Sequence, residues 1–186
     1  MKGSLDAMHA DIISSAKKGY PILLSGAIVF FIFTFLPMVF PMKTVHLIWI
    51  FGLMAIFPFG LLIGKIMNID LLANDNPLGT LGGLVAAPQA FFIPVFIIVY
   101  MHIPEYIPFT IGLLGGSHFI PYFWIYKSKA YLTVTLGVCV SSFILGSYFI
   151  DQAFTLVPLA ISFFYLVGVF QIFRELRQEK AFQLNM

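Results

Sequence analysis

Charge is what this sequence has least of. Asp, Glu, Lys and Arg make up only 10% of its 186 residues, against roughly 25% in an ordinary soluble domain. So few charges cannot cover a water-facing surface, so the surface has to face lipid. Cysteine is nearly absent too. A lone Cys139 excludes an intramolecular disulfide and leaves the redox compartment unread; inside an apolar stretch it reads as a small core residue. No Asp, Glu, Lys or Arg falls near the middle of any long apolar run. That absence argues against the buried-carboxylate relays of proton-coupled transporters, while leaving room for a neutral solute or for histidine chemistry. No Walker motif, dinucleotide fingerprint or HExxH is present, so no cofactor and no metal are expected. A net charge of +2 is too small to imply nucleic-acid binding.

What is there in abundance is apolar length. The chain is 60% hydrophobic, with a mean hydropathy of +0.98. A spanning helix needs about 20 mostly apolar residues, and such runs fall at 20–41, 45–64, 78–101, 107–126, 131–150 and 153–173. The reading is an all-α polytopic bundle of about six spans in one domain. Residues 1–19 form a cytoplasmic amphipathic segment, 20–173 the transmembrane domain, and 174–186 a cytoplasmic tail. The first run is too long for a signal-peptide core and reads as a helix that stays in the membrane. Leu5, Met8, Ile12 and Ile13 are spaced for one apolar face, suited to lying on the bilayer.

Lysine and arginine concentrate on the cytoplasmic side of membrane proteins. With the N-terminus inside, the inner segments hold Lys2, Lys17, Lys18, Lys65, Lys127, Lys129, Arg174, Arg177 and Lys180, and the outer ones only Lys43. Both termini are therefore expected inside. Tyrosine and tryptophan gather near the predicted span ends, where amphipathic rings prefer the interface; Tyr165 is the exception. Asn76 before Pro77 supplies a cap and a first-turn proline for the third span, and Asp151 reads as a cap for the sixth. The charged stretch 174–180 continues the sixth span, with Glu175, Glu179, Arg177 and Lys180 expected to be solvated or to meet anionic lipid.

Spans three and four are the unusual ones. The third carries Gly79, Gly82, Gly83, Pro88, Gln89 and Pro94; the fourth carries Gly112, Gly115, Gly116, Ser117, His118 and Pro121. Proline removes a helix hydrogen bond and kinks the helix, so Pro88, Pro94 and Pro121 mark hinges. Gly82, Gly83, Gly112, Gly115 and Gly116 let a neighbouring backbone approach. Gln89 and His118 fall near the bilayer midplane on antiparallel neighbours, and with Ser117 they are the candidate ligand-binding residues. Interrupted helices of this kind point to midplane sites in transporter folds. The competing readings are a glutamine bonded to the next helix, a neutral packing histidine and glycines that serve helix contacts alone.

Catalysis finds little footing. Ser117 and His118 are adjacent, and adjacent helical residues do not face each other. His102, Glu105 and His46 are zinc-ligand types on one side of the membrane, but Pro104 breaks the helical face that would align the first two. A non-enzymatic protein is expected.

The run 12–21, Ile-Ile-Ser-Ser-Ala-Lys-Lys-Gly-Tyr-Pro, and the Asn76-Pro77-Leu78-Gly79 turn resemble small bacterial six-helix membrane proteins without an assigned function. The resemblance implies a multi-pass protein of the bacterial inner membrane. The functional expectation is a small-solute transporter or ligand-binding membrane protein, with the lipid bilayer, a small solute and a second copy of the chain (a homo-oligomer) as its candidate partners. The rival is a non-enzymatic interaction protein, such as an immunity, assembly or sensor subunit; an intramembrane enzyme ranks third.

Overall fold

Away from water, a backbone can satisfy every N–H and C=O only as helices or as closed barrels. This chain takes the first route. The computed structural model describes residues 4–184, with side chains to 181, and every regular element among them is helical. The expectations for residues 1–3, 185 and 186 lie outside the described residues.

Helix α1 (Leu5–Ala16) precedes six passes along the bundle. The first joins α2 (Tyr20–Phe33) to the short α3 (Leu36–Val39), and the second joins α4 (Met42–Gly52) to α5 (Ile56–Ile66). The third runs through α6 (Pro77–Ala86), a 3₁₀ segment (Ala87–Phe91) and α7 (Phe92–His102). The fourth is α8 (Ile107–Ser117) and α9 (Ile120–Ile125); α10 (Lys129–Tyr148) and α11 (Ala153–Leu184) complete the set. Two clusters of contacts fix the count. Tyr20, Met67, Lys127 and Phe173 line one cleft at one end. At the other end His46 packs on Tyr100 and Phe154, with ring centroids 5.8 and 4.9 Å away. The chain must traverse the bundle between each visit.

Five stretches are long and apolar enough to cross a membrane as helices: Leu5–Val39, Met42–Ile66, Pro77–His102, Lys129–Tyr148 and Ile150–Ala181. The expected fourth span, 107–126, is not a continuous helix. It stops at Ser117 and restarts at Ile120. Pro121 has no N–H to give the Ser117 carbonyl, and it disfavours helical backbone in the residue before it.

At the centre, α11 lies along α2 and α10; α8 packs on α10 and α5 on α2. Small residues set these distances. A Cβ at Gly168 would meet Val134, one at Gly26 would meet the Tyr165 ring, and one at Gly137 would meet Phe164. Polar side chains tie the same helices: Ser162 donates to the Ala27 carbonyl at 2.9 Å, and Ser25 to that of Ile56 at 2.6 Å. The third pass is peripheral, with only 6% of its apolar window buried against 50% for the first and sixth.

Ser4 caps α1 through its side chain. The helix ends in three successive left-handed residues, Lys17 (φ 48), Lys18 (φ 54) and Gly19 (φ 67), which turn the chain sharply into α2. Ile12 and Ala16 are buried against the bundle, Met8 and Ile13 pack on its core, and Leu5 is exposed. The amide of Asn76 donates to the Met8 carbonyl and to Asp11, both at 2.8 Å, while its oxygen caps α6 at Leu78. Thus α1 is docked on the helix ends.

Candidate functional site

The third and fourth passes meet through Tyr122, whose hydroxyl donates to the Gly82 carbonyl at 2.7 Å. That bond sets their antiparallel register. Counting along both helices at about 1.5 Å per residue, Gln89 falls level with Gly115, and His118 with Ala86. The two polar residues are therefore about 5 Å apart in depth. No hydrogen bond joins them among the described residues.

Each candidate has a definite place. Gln89 is half-buried in the 3₁₀ segment, whose first turn holds Pro88; Pro94 is the third residue of α7, and Pro121 the second of α9. The Ser117 hydroxyl donates to the Leu114 carbonyl at 3.0 Å, and His118 Nδ1 pairs with the Gly115 carbonyl. Both side chains fold back on their own helix, leaving His118 Nε2 for any second partner. Pro88 and Pro121 each withhold an N–H, so the carbonyls of Leu84 and Ser117 lose their ordinary helical donors. By the same register these carbonyls differ in depth by less than about one helical turn.

The glycines divide. A Cβ at Gly112 would strike Ser142, and one at Gly116 would meet Cys139 Sγ at 2.8 Å and Val138 at 2.9 Å. These two seat α8 on α10. Gly82 lies in ordinary contact with the Tyr122 ring, whereas Gly83 and Gly115 face open space.

A cluster of aromatic rings leaves the seam. Tyr122, Tyr126 and Tyr131 form a triangle with centroids 5.6–6.0 Å apart, and the Tyr131 hydroxyl donates to the Lys18 carbonyl at 2.5 Å. There the geometry corrects an expectation. Glu175 and Glu179 are not free solvated charges: Glu175 Oε2 and Glu179 Oε1 lie 2.9 and 2.8 Å from the Lys18 ammonium, which is 1% exposed. Glu175 Oε1 also accepts from the Lys129 N–H at the start of α10, 3.1 Å away. Nearby, Lys127 binds Asp6 at 2.8 Å and holds its carboxyl below the usual range. Sequence reasoning missed the Lys18 cluster because its members stand 157 residues apart. The available signal was Glu175 and Glu179 at helical i, i+4 spacing, a repulsive pair unless a cation sits between them.

The apolar helices and the lipid-compatible surface define a multi-pass integral membrane protein. The chain belongs to a family of unknown function, DUF7010, whose sequence pattern matches residues 5–175. No curated protein and no solved structure matches it.

Proposed function

We propose that this protein is a non-enzymatic ligand-binding membrane protein or small-solute transporter of a bacterial plasma membrane, with its polar site in the seam between the third and fourth passes. The observation that carries the reading is the closeness in depth of two interruptions on neighbouring passes. In the register set by Tyr122 and Gly82, the break at 118–119 falls level with residues 85–86, just ahead of the 3₁₀ segment 87–91. In lipid, freed backbone groups need a neighbour or a water-lined cavity, and the open space beside half-buried Gly115 leaves room for one. Gln89, His118 Nε2 and the carbonyls of Leu84 and Ser117 offer donors and acceptors without net charge, which suits a small neutral polar solute.

A second reading has its own support. The third pass is barely buried and carries bare Gly83 on an open face, as a subunit that packs against a membrane partner or a second copy would require.

Thermal unfolding of the purified protein in mild detergent, against a library of solutes, ions and lipids, separates the two. A ligand at about 100 times its dissociation constant stabilises by about 2.7 kcal/mol. A stabilising solute whose effect disappears in Gln89→Ala and His118→Ala supports the binding site. If no solute stabilises, and both variants are merely less stable, the residues are packing elements and the interaction reading takes over.

A further inference from the structure

At the end of the bundle that holds Lys18, a cleft of about 730 Å³ opens between α1, the residues after α5 and the last turns of α11. Its wall and floor differ in chemistry. Lys17, Arg177 and Lys180 line it and make no ion pair among the described residues; Tyr20, Met67 and Phe173 supply an apolar floor. The two carboxylates that also line it are already engaged, Asp6 by Lys127 and Glu179 by Lys18. Lys18 shares its one charge between Glu175 and Glu179, so three cations against one remaining negative charge leave the cleft net positive by two above greasy surface. The Tyr20 and Phe173 rings meet edge to face at 4.7 Å, at the point where the first and sixth passes leave their apolar zone. Basic pockets between helices at a membrane surface take phosphate headgroups of anionic lipids.

We propose that this cleft binds an anionic phospholipid, with the phosphate held by Lys17, Arg177 and Lys180 and the upper acyl chain lying on Tyr20, Met67 and Phe173. A soluble phosphate compound would satisfy the cations and leave the apolar floor uncovered, so the geometry favours the lipid. The site stands apart from the seam and does not depend on the reading given to it.

The test uses the full chain in a neutral detergent, titrated with dioleoylphosphatidylglycerol, with dioleoylphosphatidylcholine and with glycerol phosphate. Thermal midpoint and lipid retention in native mass spectrometry are the readouts. The expected result is a saturable rise in midpoint and a retained lipid with phosphatidylglycerol alone. Lys17→Gln, Arg177→Gln and Lys180→Gln should each weaken half-saturation by about fivefold, the effect of one cation near a membrane phosphate. Lys43→Gln, at the opposite end, should leave it unchanged. Equal stabilisation by phosphatidylcholine, or equal weakening by Lys43→Gln, overturns the site in favour of general detergent–lipid effects. A full response to glycerol phosphate overturns the lipid and leaves a soluble phosphate ligand. Should a cleft variant fail to fold, lipid retention by the unaltered chain decides, and absence of bound phosphatidylglycerol there ends the proposal.

Discussion

Lys18 sits in left-handed backbone, which for a residue with a Cβ costs about 1–2 kcal/mol, and its ammonium is almost wholly removed from water. Two features hold it there: the Tyr131 hydroxyl on its carbonyl and the carboxylates of Glu175 and Glu179 on its amine. The partners are not equivalent. Their side chains are 24% and 43% exposed, against 1% for Lys18. Removing the lysine leaves two carboxylates that can reach water, whereas removing the carboxylates strands a buried cation. Breaking a buried pair by deleting one side costs about 3–5 kcal/mol when the remaining charge is uncompensated. The double variant Glu175→Ala/Glu179→Ala should therefore lose about 3 kcal/mol, and Lys18→Met distinctly less. Chemical unfolding in detergent measures both; equal losses would mean that the carboxylates are as desolvated as the amine.

At the scale of elements, the same glycine-rich pass contains two kinds of position. Gly112 is filled from outside by Ser142, so Gly112→Ala forces α8 away from α10, an overpacking of about 1–3 kcal/mol. Gly115 has nothing within 4 Å, so Gly115→Ala should gain up to about 1 kcal/mol from helix propensity. If the seam binds a solute in that open space, the same substitution weakens binding while the fold grows firmer. Thermal midpoints of the two variants, with and without a stabilising solute, check both halves; a stabilised variant with undiminished binding would take the ligand away from Gly115. These contrasts also mark what could be read from the chain. Lipid demands about 20 apolar residues per crossing, so the passes and their turns follow from hydropathy, and Pro88 and Pro121 announce interrupted helices. Which glycines are filled and which are bare depends on rings and hydroxyls from other passes. The turn at Lys17 and Lys18 is likewise invisible locally, since lysine has no preference for positive φ and only Tyr131, Glu175 and Glu179 hold it.

For the whole molecule, the arrangement of charge makes a claim about sidedness. The six traverses place Lys17, Lys18, Lys65, Lys127, Lys129, Arg174, Arg177 and Lys180 at one end of the bundle, with Lys43 at the other. Basic residues next to short-looped helices are retained on the cytoplasmic side, so the cleft and α1 should face the cytoplasm, and the His46 end the outside. Single cysteines introduced in a Cys139→Ser background at Lys43, in the first turn of α4, and at Asp70, between α5 and α6, read this out directly with a membrane-impermeant maleimide. Position 43 should label in intact cells, and position 70 only after the membrane is opened. The break in the fourth pass sharpens the test, because α8 and α9 are each too short to span about 30 Å of hydrocarbon at 1.5 Å per residue. Were the pass to dip in and return at Ser117–Phe119 instead of crossing, a third cysteine at Lys129 would label from outside while position 70 stayed protected. Labelling of 70 and 129 together, only after permeabilisation, requires the broken helix to traverse. The seam between the third and fourth passes would then lie within the membrane, where freed carbonyls need a partner.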